Sequence, residues 1–207
     1  MFSFNKKHKI RPQIILNDNE CAVFGYGSLV NIQSMEKTLK HKYTGPIILT
    51  YLQNWKRDWN VAMPNSYFFN ETIHGRYYPK YIVYLNVTPS EGREVYGNLF
   101  VIKKKELEYF QEREWIYDLI DVSQNIKDIN VLRGVIYTFT AKNKYRINNI
   151  NKENMAVRAS YFDIVLNAFK EYGDQSLNEY EKTVEKISSS YIINDLKDDK
   201  SKVPIWL

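Results

Sequence analysis

A chain of 207 residues, 44% apolar and 15% aromatic, can bury a substantial core and reads as one globular domain rather than a disordered segment. No apolar run reaches the ~18 residues of a membrane helix, and Ile14-Ile15-Leu16 in the basic N-terminus is too short for a signal-peptide core, so a cytoplasmic protein without membrane contact is expected. The single cysteine, Cys21, excludes an internal disulfide and a thiolate metal site, while a net charge of +5, with lysines mixed among acids, describes a solvated surface rather than a nucleic-acid stripe.

Residues 1–19 read as a basic tail. The first strand is Cys21–Gly25, and it breaks into Gly25-Tyr26-Gly27-Ser28, two of the chain's eight glycines one residue apart. A short helix follows at Ile32–His41, then strands at Pro46–Leu52, Lys80–Val87 and Glu94–Ile102, the last two separated by the turn signal Thr88-Pro89-Ser90-Glu91-Gly92. A charged helix over Lys103–Arg113 precedes strands at Trp115–Val122 and Val131–Thr140. The spacing of Val157, Tyr161, Ile164, Val165, Ala168, Phe169 and Tyr172 predicts a helix over Met155–Tyr172, stopped by Gly173. Ser176 and Glu179 stand at capping-box spacing before a last helix, Ser176–Ile187. Residues 188–207 read as a second tail, ending in the apolar Val203-Pro204-Ile205-Trp206-Leu207. With the strands first and the stronger helices late, an α+β domain over residues 20–187 is expected.

Several familiar sites are missing. Gly25-x-Gly27-x-x-Val30 lacks the third glycine of a dinucleotide fingerprint, and no Gly-Lys-Ser/Thr follows for a phosphate loop. Ser28 lacks the Gly-x-Ser-x-Gly frame of a hydrolase nucleophile. His8, His41 and His74 are isolated, with no helix-spaced partner for a metal. Catalysis by this chain would rest on a carboxylate and backbone groups, without metal or cofactor.

Two features fit that chemistry. At the glycine bend, the amides of Gly27, Ser28 and Leu29 would be unpaired and convergent, ready for a carboxylate or a developing oxyanion; the plainer reading is a strand-to-helix turn. If the helix runs past Arg113, Glu114 shares a face with Leu107 and Phe110, and a desolvated carboxyl there has its pKa raised toward that of a general base. If the helix ends at Arg113, Glu114 would pair with a cation such as Arg57 or Arg133. In Trp55-Lys56-Arg57-Asp58-Trp59-Asn60, Arg57 either reaches a substrate carboxylate beside Trp59 or forms a surface pair with an acid. Tyr77, Tyr78, Tyr81 and Tyr84 read as half-buried strand residues.

Taken together, Val23-Phe24-Gly25-Tyr26-Gly27-Ser28-Leu29, the strand Val95-Tyr96-Gly97-Asn98-Leu99-Phe100-Val101-Ile102 and Phe110-Gln111-Glu112-Arg113-Glu114-Trp115-Ile116-Tyr117 resemble the γ-glutamylcyclotransferase family, over about residues 21 to 183. The resemblance implies a small, mostly antiparallel β-barrel flanked by helices. It implies a lyase or acyl-transfer reaction without cofactor, in which the α-amine of a small γ-glutamyl substrate attacks its own γ-carbonyl and releases 5-oxoproline. Glu114 would be the general acid and base, and Tyr26, Gly27, Ser28 and Leu29 would grip the glutamyl end, with Arg57 a further candidate for its carboxylate. Some members use a tyrosine after the penultimate strand; Thr140-Ala141-Lys142 follows here, which leaves Tyr137 as the candidate. The chain departs from the family at Phe110-Gln111, where Leu-Asp is common. The competing expectations are a binding module on the same fold that holds a small ligand without turnover, and a basic interaction protein acting through its N-terminal arm.

Overall fold

The computed structural model describes residues 12–65, 67–150 and 154–197. In chain order its elements are β1 (Gln13–Ile15), β2 (Glu20–Gly25), α1 (Ile32–Leu39), β3 (Ile47–Pro64), β4 (Phe68–Thr72), β5 (Gly75–Tyr77), β6 (Tyr81–Lys103), α2 (Leu107–Arg113), β7 (Tyr117–Asp121), β8 (Asn130–Arg133), β9 (Ile136–Ala141), β10 (Met155–Arg158), α3 (Ala159–Glu171), α4 (Asp174–Thr183), β11 (Ile192–Ile193) and β12 (Leu196–Lys197).

The long strand β6 is the spine. On one side it pairs antiparallel with β3, from Ile47 opposite Phe100 to Pro64 opposite Tyr81. On the other, β2 runs antiparallel to its end, Gly25 opposite Asn98, and β10 runs parallel to its beginning, Met155 opposite Tyr81. The order β11-β10-β6-β2-β9-β7, with β3 on β6, makes a seven-stranded mixed sheet. Two of the expected strands, Lys80–Val87 and Glu94–Ile102, are therefore one. Their turn signal builds a bulge instead: the register jumps between Gln53 and Trp55, Asn54 (φ 62°) and Gly92 (φ 72°) are left-handed, and Gly92 N–H donates to Asn54 Oδ1 at 3.1 Å. A bulge needs the same permissive residues as a turn, but it bends the ribbon without reversing it.

The bend curls the sheet. Where β9 meets the middle of β6, Thr140 Oγ1 donates to Val87 O at 2.7 Å and Ala141 N–H donates to Asn86 Oδ1 at 2.8 Å. Side chains link these strands, and among the described residues no continuous ladder closes a barrel. The fold is α+β, a curled mixed sheet flanked by helices.

From Cys21 onward strand β2 is apolar because both its faces are covered. Ala22 and Phe24 pack with Leu85, Val165, Phe169 and Tyr180 under α3 and α4, while Cys21 and Val23 pack with Met35, Phe100 and Phe110 under α1 and α2. Helix α1 opens with Asn31 Oδ1 accepting from Ser34 N–H at 2.8 Å and closes on left-handed Lys40.

The late helices differ from the expected bounds. Residues 155–158 form β10, with Ala156 and Val157 buried in the sheet, and the helix starts at Ala159. Four residues carry too little periodicity to separate the two states. Helix α4 begins at Asp174, directly after Gly173 (φ 102°), so Ser176 and Glu179 are not a cap. Ser176 is buried, and Glu179 accepts from Tyr51 O–H at 2.8 Å.

Both segments read as tails hold structured pieces. β1 pairs with β8, β11 with β10, and β12 with β4. Asp195 is 5% exposed at its side chain; it accepts from Arg158 Nε at 2.9 Å and from Ser160 N–H at 2.8 Å, capping the start of α3. Residues 1–11 and the apolar end Val203–Leu207 lie outside the described residues. Among the described residues no helix is long and apolar enough to cross a membrane.

Candidate active site

Strand β2 delivers the glycine bend to the open side of β6. At Gly25 an added Cβ would lie 2.5 Å from Asn98 Oδ1, so bare backbone is required for this approach. Beyond it a 3₁₀ turn, Ser28–Val30, holds itself by Val30 N–H to Gly27 O at 3.0 Å and Asn31 N–H to Ser28 O at 3.2 Å. The amides of Ser28 and Leu29 precede that ladder and take no part in it. Tyr26 is 7% exposed and donates its hydroxyl proton to Phe139 O at 2.8 Å, pinning the bend to β9. At Gly27 an added Cβ would come within 2.9 Å of the Tyr161 hydroxyl oxygen, which reaches over from α3.

Glu114 approaches from the other side. Helix α2 ends at Arg113, and Glu114 is its C-terminal cap, with Glu114 N–H donating to Phe110 O at 2.8 Å. The carboxylate pairs with the neighbouring guanidinium, Arg113 Nε to Glu114 Oε1 at 3.0 Å, and not with Arg57 or Arg133. Arg113 spends its other four N–H bonds on Ser34 O and Thr38 Oγ1 through Nη1, at 2.7 Å each, and on Ser28 Oγ and Ser34 Oγ through Nη2, at 2.8 Å each. One planar fork thus joins the carboxylate, the glycine bend and α1.

Two adjoining cavities meet here. The inner one, about 30 Å³, is walled by the bend from Gly25 to Leu29 with Leu85 and Phe139. The outer one, about 120 Å³, is walled by Met63, Tyr84, Trp115, Ile164 and Arg158 among others. Ser28, Glu114, Tyr117 and Tyr161 line both. Glu114 and the bend therefore face shared space.

Burial raises the pKa of Glu114, and the adjacent Arg113 opposes the rise. The hydroxyls of Tyr26, Tyr117 and Tyr161 are pushed above the usual phenol range, first by burial and then by Glu114 and neighbouring tyrosines. Two of them donate to carbonyls, Tyr26 to Phe139 O at 2.8 Å and Tyr117 to Leu85 O at 2.9 Å.

Of the residues singled out in the sequence, Tyr26, Gly27, Ser28, Leu29 and Glu114 come together around these cavities. Arg57 and Tyr137 do not line either one. Tyr137 points to the opposite core, beside Val23 and Phe139. Arg57 is 1% exposed and is neither a surface pair nor a cavity wall. Its guanidinium donates from Nη2 to Tyr96 O and lies 4.8 Å from the centre of the Tyr180 ring and 5.6 Å from that of Phe169, while Asp58 pairs with Lys56 instead. Burial pulls the Arg57 pKa down to about 10. The residues missed by sequence reasoning are Arg113, Tyr84, Tyr117, Arg158 and Tyr161. Arg113 and Tyr117 lie inside the segment Phe110–Tyr117 that carries the family resemblance, whereas Tyr161 on an apolar helical period is indistinguishable from core.

This architecture is the γ-glutamylcyclotransferase fold. The chain aligns with a solved gamma-glutamyl cyclotransferase at TM-score 0.54 and 20% identity, over 79% of this chain and 86% of that one. It aligns with an uncharacterized protein from Homo sapiens at TM-score 0.56 and 17% identity, over 84% and 96%. With YkqA from Bacillus subtilis the TM-score is 0.54 at 14% identity, over 80% of this chain and 54% of that one. No family model matches the sequence, and no curated protein matches it significantly. At these identities the likeness is one of fold.

Proposed function

We propose that the protein is a γ-glutamyl cyclotransferase, closing a γ-glutamyl amide or peptide to 5-oxoproline and releasing the free amine or amino acid. The observation that carries this reading is the shared space between the Glu114 carboxyl and the bend Tyr26–Leu29. The α-amine nitrogen of the substrate forms a bond to its own γ-carbonyl carbon, and its proton passes to Glu114. The carbonyl electrons move onto oxygen, which the amides of Ser28 and Leu29 stabilise as an oxyanion. As the carbonyl re-forms, the bond to the leaving nitrogen breaks and Glu114 returns the proton to it. Nucleophile and electrophile belong to one molecule, so the protein's task is to hold the folded conformer and exclude water. Burial raises the Glu114 pKa, which makes the carboxylate a stronger base for this transfer.

The test is incubation with γ-glutamyl amides and dipeptides, with 5-oxoproline measured by chromatography. Product is expected from wild type and not from Glu114→Gln. Ligand-dependent thermal stabilisation without product from any substrate would point instead to a binding module on this fold.

A further inference from the structure

The outer cavity fixes what lies beyond the bond being broken, provided the cyclotransferase reading holds. With the glutamyl end at the bend and the reacting carbonyl at Glu114, the leaving group must extend past Tyr117 and Tyr161 toward the open mouth. That mouth is formed by Trp115, 43% exposed, and Ile164, 39% exposed.

Three charged side chains line this cavity, Arg113, Glu114 and Arg158, and each is already answered. Arg113 has all five N–H bonds occupied and pairs with Glu114 at 3.0 Å. Arg158 has its Nε on Asp195 at 2.9 Å and its Nη2 on Ser160 Oγ at 2.9 Å. Arg158 and Asp195 are 8% and 5% exposed at their side chains, so each buried charge neutralises the other. A carboxylate reaching Arg158 would be a second anion on a guanidinium whose charge Asp195 already answers. Beside the hydroxyls of its serines and tyrosines, the wall offers a ligand the apolar surface of Met63, Trp115, Ile164 and the Tyr84 ring.

We infer that the preferred substrates are γ-glutamyl amides of uncharged, apolar amines, aromatic or branched, rather than γ-glutamyl amino acids or peptides, whose leaving group carries a carboxylate. An apolar amine desolvates the mouth and makes contacts there, whereas a carboxylate in the same place loses its water without gaining a free cation.

The experiment compares kcat/KM for three substrates on the full chain: γ-glutamyl-phenethylamide, γ-glutamyl-phenylalanine, which adds only a carboxylate, and γ-glutamyl-methylamide, which removes the ring. The phenethylamide is expected to lead both by about tenfold or more. Trp115→Ser, at an exposed position, is expected to shrink its lead over the methylamide. Asp195→Asn uncovers the Arg158 charge and is expected to shift preference toward γ-glutamyl-phenylalanine, with circular dichroism checking that the variant is folded. Equal turnover of the matched pair by wild type, or faster turnover of the acid, overturns this substrate class while leaving cyclisation intact. Absence of 5-oxoproline from all three overturns the cyclotransferase reading and the inference with it.

Discussion

Arg113 and Glu114 are sequence neighbours whose side chains meet at 3.0 Å because the helix stops between them. In a continuing helix, adjacent residues point about 100° apart and do not face each other. The end of α2 turns Glu114 back along Arg113, and the guanidinium then reaches Ser28 Oγ at 2.8 Å. Arg113 thus braces both the Glu114 carboxylate and the bend.

Removing it has a signed consequence. Arg113 lowers the Glu114 pKa against the pull of burial. In Arg113→Gln the acidic limb of the kcat/KM profile for 5-oxoproline release is expected to move to higher pH. The rate at optimum falls by about 10²-fold, because the carboxylate and the bend lose their common brace. Arg113→Lys keeps a charge but lacks the fork, so it restores the limb more than the rate. An unmoved limb in Arg113→Gln would mean that the ion pair does not persist in solution.

Glu114→Gln is expected to lower turnover by about 10²–10⁴-fold, the usual span for losing a general acid–base group. It also alters stability in a pH-dependent way. A carboxyl whose folded pKa is raised favours the folded state while protonated, and that benefit is lost as pH rises through the window between its unfolded and folded values. Denaturation measured from acid to neutral pH should therefore show Glu114→Gln gaining on wild type as pH increases. A constant difference between the two would remove the argument that burial tunes this group.

Gly27 tests the contact with α3. The Cβ of Gly27→Ala meets the Tyr161 hydroxyl oxygen at 2.9 Å, and φ at this position, −120°, imposes no strain of its own. The substitution is expected to cost about 1–3 kcal/mol as an overpacking change and to reduce activity. Pairing it with Tyr161→Phe, which removes the clashing oxygen, should restore much of the stability, read as a coupling energy in a double-mutant cycle. Additive effects would mean that the two residues do not touch.

Arg57 separates shape from charge. Its Nε and Nη1 have no partner among the described residues, so its cation is held by ring faces and one carbonyl. Arg57→Met preserves the stem and removes the buried charge, and it should leave stability within about 1 kcal/mol of wild type or raise it. Arg57→Ala opens a hole and should cost about 2–5 kcal/mol. Equal losses in chemical denaturation of both variants would show that the guanidinium is satisfied in solution.

How much of this was legible depended on whether a residue's role followed from local pattern. The run Cys21–Gly25 could be read because an apolar strand covered on both faces needs no partner to be recognised. The step of Glu114 with Leu107 and Phe110 assumes a helix that continues, whereas α2 ends at Arg113; what marks Glu114 in the sequence is the motif around it. The Arg113–Glu114 pair could not be read, since it exists only where the helix ends. Gly92 was misread because a bulge and a turn draw on the same residues. Arg57 was placed near ligand or solvent because it carries a charge, yet the length of β3 carries it under Phe169 and Tyr180. Asp195 is not legible in the sequence because nothing local marks a carboxylate that caps a helix 35 residues earlier.

That last contact orders events during synthesis. Ser160, Tyr161 and Arg158 leave the ribosome well before Asp195, so a nascent chain can pair β2 with β6 and still lack the anchor that sets the start of α3. The cavity wall that α3 supplies therefore depends on a carboxylate outside that helix, and it cannot take its final form until Asp195 has been made.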